Sequence, residues 1–500
     1  MNKFDEAINA YDKSIEINPH NSKVWYNKGV VLDNLNKYDE AIKAYDKAIE
    51  INPQDSKAWY NKGLTLGKLG KLDEAIAAFD RAIEINPQYL KAWDGKGVAL
   101  GELGKSVEAI KAYDKAIAIN PQDSIAWYNK GRALYKLNKS SGAITAFDKA
   151  IEINSQYSDA WDGKGVALGG LGKSAEAITA YDKAIAINPQ DPIVWFNKGN
   201  ALSSLGKLDE AIAAFDRAIE INPQYLKAWD GKGVALGKLG KLDEARQAFD
   251  KALEINPQDS NVWYNKGRTL YKLNIFDEAI TAFEKAIEIN SRDSDAWIGK
   301  GAALDKLGKS DEAINAYDKA IEINPQDSLA WNNKGNDLSS LGKLDEARKA
   351  YDKAIEINPQ DSKAWYSKGI DLGRSGKFDE AITAFDKAID IDPKDDNFWY
   401  NKGTALIKLN KSDEAIKAYD KAIEINPHNS MAWNNKGAAL YNLNKSEEAL
   451  EAFEKALEIN PQYSDAWDNK GVVLDHLNKS DEAIKAYDKH LKLTRRIQKF

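Results

Sequence analysis

Fourteen tryptophans punctuate this 500-residue chain from Trp25 to Trp467, and each lies 34 residues from the next. A single-core globular protein has no use for such a period. A stack of near-identical units requires it, because every unit must offer the same knob to the same hole in its neighbour. The usual prior of roughly 150 residues per domain therefore gives way to a repeat array, which grows without needing a larger core.

Residues 56–89 serve as the type unit. Trp59, Gly63 and Leu66 fall at i, i+4 and i+7, which is one face of a helix. Gly70 and Lys71 interrupt that pattern. Asp73 and Glu74 then open a second helix, where acidic side chains suit the free N–H groups of the first turn. Ala75, Phe79 and Ala82 make its inner face. Asn86 ends it, because a residue before proline is pushed out of the α region. The unit is a helix–turn–helix, and neither helix buries its stripe alone.

Trp, Gly, Leu, Ala, Phe or Tyr, Ala and Pro at these offsets resemble the tetratricopeptide repeat, in a variant with Trp-x-x-Lys-Gly in its first helix. The likeness runs through 14 full units: Gly63 has counterparts from Gly29 to Gly471, and Ala75 from Ala7 to Ala483. It implies an all-α, right-handed superhelical solenoid of stacked antiparallel helix pairs. Residues 1–21 read as a half repeat holding only a second helix, either a cap or a truncation. Residues 22–497 hold the fourteen units, and 489–500 read as a basic C-terminal helix extension or cap. The tryptophans are expected in the buried core, with Gly63 and Ala75 letting helices approach closely.

One position departs from the family. Three places after each Trp stands a lysine, Lys28 to Lys470, where an apolar residue is usual. An acid follows the Phe or Tyr of each second helix just as regularly, as at Asp46 and Asp80. These spacings predict a repeated Lys–carboxylate pairing between the two helices of a unit. The array also carries a higher order. Residues 69–101 are identical to 205–237, an offset of four units, and Asn alternates with Gly two places after the Trp through the middle of the chain. Ser155 and Ser291 replace the proline between units, which is expected to loosen those joints.

Composition limits what such a stack does. The chain has a net charge of −7 with both signs interspersed, the opposite of a nucleic-acid binder's basic balance. It has no cysteine, hence no disulfide or thiolate site. No run of 18 apolar residues suggests a membrane span, and no export signal precedes the repeats, so the reading is soluble and cytoplasmic. Gly101-Glu102-Leu103-Gly104-Lys105-Ser106 imitates a phosphate loop, but it has two residues between its glycines where four are needed, and it joins helices. The four histidines are scattered, and Asp-Glu pairs recur in most units where a catalytic dyad would be singular. No cofactor, metal site or enzymatic activity is expected, and neither nucleic acid nor membrane is an expected partner.

What remains is the face of the first helices opposite the Trp stripe. In the type unit it carries Lys57, Tyr60, Asn61, Leu64, Gly67 and Lys68. Superhelical members of the family grip an extended peptide through an asparagine ladder at the position of Asn61. The resemblance carries that role to Asn27, Asn61, Asn129, Asn197, Asn265, Asn333, Asn401, Asn435 and Asn469, with Tyr60, Tyr128, Tyr264 and Lys57 beside them. Gly95, Gly163, Gly231, Gly299 and Ser367 interrupt the ladder. The expected function is a non-catalytic scaffold for protein or peptide ligands. A recruiting arm of a larger enzyme such as a glycosyltransferase, a spacer, and a self-associating rod stay open at this point.

Overall fold

A computed structural model describes residues 3–497. Those residues form helices joined by short turns, with no strand among them. Contacts divide the chain into two compact units, Met1–Pro257 and Gln258–Phe500. The first holds a lone helix, Lys3–Ile17, followed by seven helix pairs, and the second holds seven further pairs. Each pair is a first helix of about one dozen residues, such as Ser56–Lys68, and a second helix such as Leu72–Ile85. The last second helix runs Ser480–Ile497, so the basic extension continues it as far as 497; residues 498–500 lie outside the described residues.

The turn within a pair is set by one left-handed residue. Gly70 has φ +73°, and where Asn replaces glycine, as at Asn36, φ is 59°. Only Gly and, at small cost, Asn adopt this conformation. The turn between pairs is an Asx turn in which Asn52 Oδ1 accepts the backbone N–H of Gln54. Asp55 then caps the next helix, accepting from the N–H groups of Lys57 and Ala58.

The core lies in the second helices and in the small residues facing them. Ala75, Ala78 and Phe79 are buried together with Leu66 of the same pair and Ala99 of the next first helix, so each cluster spans three helices. A Cβ built on Gly63 would sit 2.7 Å from the Phe79 ring, so glycine there is what admits the ring. Within each unit the first helix of one pair approaches the first helix of the next closely, whereas among the described residues the backbones of neighbouring second helices stay further apart. First helices therefore converge on one face of each unit.

The tryptophans are not in the fully buried core that the sequence predicts. Each is half-buried at the joint between pairs. Trp59 donates its indole N–H to the carbonyl of Pro53 at 3.1 Å, and Trp93 does the same to Pro87 at 3.0 Å. Because the acceptor is a backbone carbonyl, Ser155 and Ser291 keep the bond, at 3.1 and 3.4 Å from Trp161 and Trp297. The joints expected to be loose retain their hydrogen bond.

The lysine three places on covers the exposed Trp face. Lys62 Nζ lies 5.4 Å from the Trp59 ring centroid and 2.6 Å from Asp46. A repeated pairing forms, but not between the two helices of one unit: the carboxylate comes from the preceding pair's second helix, as with Lys130–Asp114 at 2.7 Å and Lys436–Asp420 at 2.6 Å. Ion pair and cation–π contact at such half-exposed sites are each worth about 0.5–1 kcal/mol.

Candidate functional site

The face where first helices converge carries every residue assigned to the ladder. Asn27 and Lys57 are exposed; the other eight asparagines and Tyr60, Tyr128 and Tyr264 are half-buried. Much of that burial comes from contacts between neighbouring pairs. Asn61 Nδ2 donates to the Tyr26 hydroxyl of the preceding pair at 2.7 Å. Asn401 reaches Tyr366 at 3.0 Å and Asn435 reaches Tyr400 at 3.2 Å in the same way. Asn197 donates instead to Asp162, and Asn469 to Asn434, each at 3.0 Å. These asparagines staple one first helix to the next. A primary amide offers two N–H donors and a carbonyl, so each staple leaves hydrogen-bonding capacity over.

At the interrupting glycines a ring of the preceding pair stands close. A Cβ on Gly95 would lie 2.8 Å from the Phe79 ring, and on Gly163, Gly231 and Gly299 it would lie 2.7, 2.8 and 2.6 Å from Phe147, Phe215 and Phe283. In these pairs a phenylalanine of the preceding second helix occupies the place a side chain would take. The alternation is visible in the sequence, whereas the ring beside each glycine belongs to another pair and is seen only in the structure.

The same phenylalanines build ring clusters. Tyr60 packs on Phe79 and Tyr89, with centroids 5.9 and 5.1 Å apart. Tyr128 with Phe147 and Tyr157, and Phe196 with Phe215 and Tyr225, repeat the arrangement. The tyrosines assigned to the ligand face are thus also packing residues.

Two carboxylates sit on this face in unfavourable surroundings. Burial, followed by the charge of Asp123, pushes Asp94 up to about 7. Burial also pushes Asp162 up to about 6, against the lowering effect of the Asn197 bond.

Asn129 and Asn333 make no staple. Asn333 instead lines a recess of about 300 Å³ whose walls include Tyr264, Arg268, Phe283, Ile298 and Leu329. Asn129 lines a smaller one, about 90 Å³, beside Arg132, Tyr113 and Lys136. Among the described residues no cluster of three or more His or acidic side chains could hold a metal, and no helix is long and apolar enough to cross a membrane.

Tetratricopeptide repeat models match residues 22–55, 56–89, 294–327 and 328–361. A second model with that description matches 95–158, 163–225, 231–294, 366–430, 400–464 and 434–496, and a third matches 1–21. No curated protein matches the chain. Solved structures similar to it include the APC/C hetero-tetramer Cut9-Hcn1, at 15% identity and TM-score 0.44, covering 91% of this chain and 96% of that one. YrrB, a TPR protein with an unusual peptide-binding site, is 30% identical with TM-score 0.34, covering 38% of this chain and 98% of that one. Yeast Tom70 is 20% identical with TM-score 0.40, covering 91% and 99%.

Proposed function

The chain belongs to the tetratricopeptide repeat family, and from that premise we propose that it is a non-catalytic scaffold holding extended protein or peptide segments along its first helices. One observation carries the reading. On the first helices, Asn129 and Asn333 are not among the asparagines that donate to a neighbouring pair, and both line recesses. An exposed primary amide matches a peptide group donor for acceptor, and it grips the backbone whatever the side chains are. The stapled asparagines keep an acceptor each for the same use. Neither a spacer nor a recruiting arm by itself calls for amides beside recesses.

The test is selection of a random short-peptide display library on the full chain, followed by titration of the winning peptides. Asn129→Ala together with Asn333→Ala removes no bond between helices. The pair of substitutions is expected to weaken binding by about ten-fold, the loss of roughly one hydrogen bond at each site. A library that yields no binder, or binding indifferent to both substitutions, would favour the spacer.

A further inference from the structure

The larger recess exists because one aromatic ring is missing. In four pairs the residue four places before the Trp is a tyrosine, Tyr89, Tyr157, Tyr225 or Tyr463, and the rings of the first three close a cluster. In the pair of Trp297 that position is Asp293, which spends its carboxylate on capping the helix Ser294–Lys306 through the N–H of Ala296. Tyr264 therefore meets only Phe283, at 6.0 Å, and its other side is open. Two further substitutions shape the space, one by its size and one by making the wall apolar. Ala302 is small where Leu64, Val98, Val166 and Val234 stand in other pairs, and Ile298 replaces the acid found at Asp94, Asp162 and Asp230. The walls are thus Tyr264, Phe283, Ile298 and Leu329, the last 53% exposed, with the carboxylate of Asp295 at the rim. Arg268 stacks on Tyr264, 5.6 Å from its ring centroid, and fixes the wall opposite.

Building on the scaffold reading, we propose that this recess is the anchor subsite of the groove and takes an aromatic side chain bearing a hydrogen-bond donor, tyrosine or tryptophan, from the bound peptide. The ring takes the place that Tyr89, Tyr157 and Tyr225 fill elsewhere, completing the cluster with Tyr264 and Phe283. Its O–H or N–H donates to Asp295, the acceptor at the rim. The volume, about 300 Å³, is at the lower end of ordinary ligand pockets and suits one large side chain. Rings in such clusters prefer tilted contacts with centroids about 4.5–7 Å apart, the geometry the intact clusters show.

Asp293→Tyr tests this from inside, because it restores the ring that four other pairs carry and those pairs fold. Ile298→Asp likewise inserts a residue the chain already uses at that position. Peptides selected from a random display library on the full chain are expected to share a tyrosine or tryptophan. Asp293→Tyr, which fills the place of the ring, and Ile298→Asp, which puts a carboxylate in the apolar wall, should each weaken them by about ten-fold or more, as losing the site of a central aromatic does. Exchanging the peptide's aromatic for leucine should cost a similar factor. Leu329→Lys, at an exposed position where Lys57 and Lys363 stand in other pairs, should weaken binding several-fold without altering the unfolding midpoint. Selected peptides without an aromatic, or peptides bound equally by Asp293→Tyr, Ile298→Asp and the unaltered chain, would overturn the subsite. Binding that is lost with Asn129→Ala but untouched by the recess substitutions would overturn the subsite and leave the groove standing; a library without binders would overturn both.

Discussion

Asp94 is half-buried on the first-helix face, and its Oδ1 atom meets no hydrogen-bond partner among the described residues. Its carboxyl is pushed up to about 7, first by burial and then by Asp123. A group whose pKa is raised on folding holds its proton longer in the folded chain. Its contribution to stability is therefore fully present below the ordinary carboxylate range and lost as pH rises through about 7. Asp94→Asn removes the charge while keeping the shape. The substituted chain is expected to unfold at a higher temperature than the unaltered chain at pH 8, with the gap closing at pH 5. Thermal melts at the two values check this, and a gap that widens towards acid would contradict it. At the same scale, helical angle sets Asn61 and Tyr60 opposite the Trp stripe, and the structure shows both also packing against other residues. Their engagement with other pairs was not legible, because sequence spacing within one helix does not say which neighbour a side chain reaches.

Among elements, the first helix depends on close approach at one face and tolerates bulk at another. Gly63 and Gly67 both lie within Ser56–Lys68, one turn apart. A Cβ at Gly63 would meet Phe79 at 2.7 Å, whereas a Cβ at Gly67 would meet nothing within 4 Å. Gly63→Ala should cost about 1–3 kcal/mol through overpacking. Gly67→Ala should gain about 0.5–1 kcal/mol, because alanine loses less backbone entropy in a helix. Denaturant unfolding of the two variants measures both, and equal effects would contradict the packing described. The helix–turn–helix unit was legible because apolar period and left-handed Gly or Asn agree in every pair and Asn-Pro ends most of them. The depth of the tryptophans was not. The same i, i+4, i+7 pattern marks a buried stripe and a stripe lidded by lysine, and only the Lys62–Asp46 pair across the joint separates the two.

For the whole molecule, repetition fixes the scaffold and departures from it mark the groove. Gly63, Ala75 and Phe79 recur because every joint needs them. Ile298 is the single isoleucine at its position, and the recess beside Tyr264 is made there. The sequence carried that break in plain view, but its meaning depends on Tyr89, Tyr157 and Tyr225 packing as rings, which appears only in three dimensions. Each unit can be followed separately, since interactions in an array are confined to near neighbours. The most direct measurement of the central claim is amide hydrogen exchange on the full chain with and without a library-selected peptide. Added protection is expected in first helices, above all Ser260–Lys272, Ser294–Lys306 and Ser328–Ser340 around the recess. Protection falling on second helices such as Phe276–Ile289 and Ser310–Ile323 instead would place the ligand on the opposite face and contradict the account.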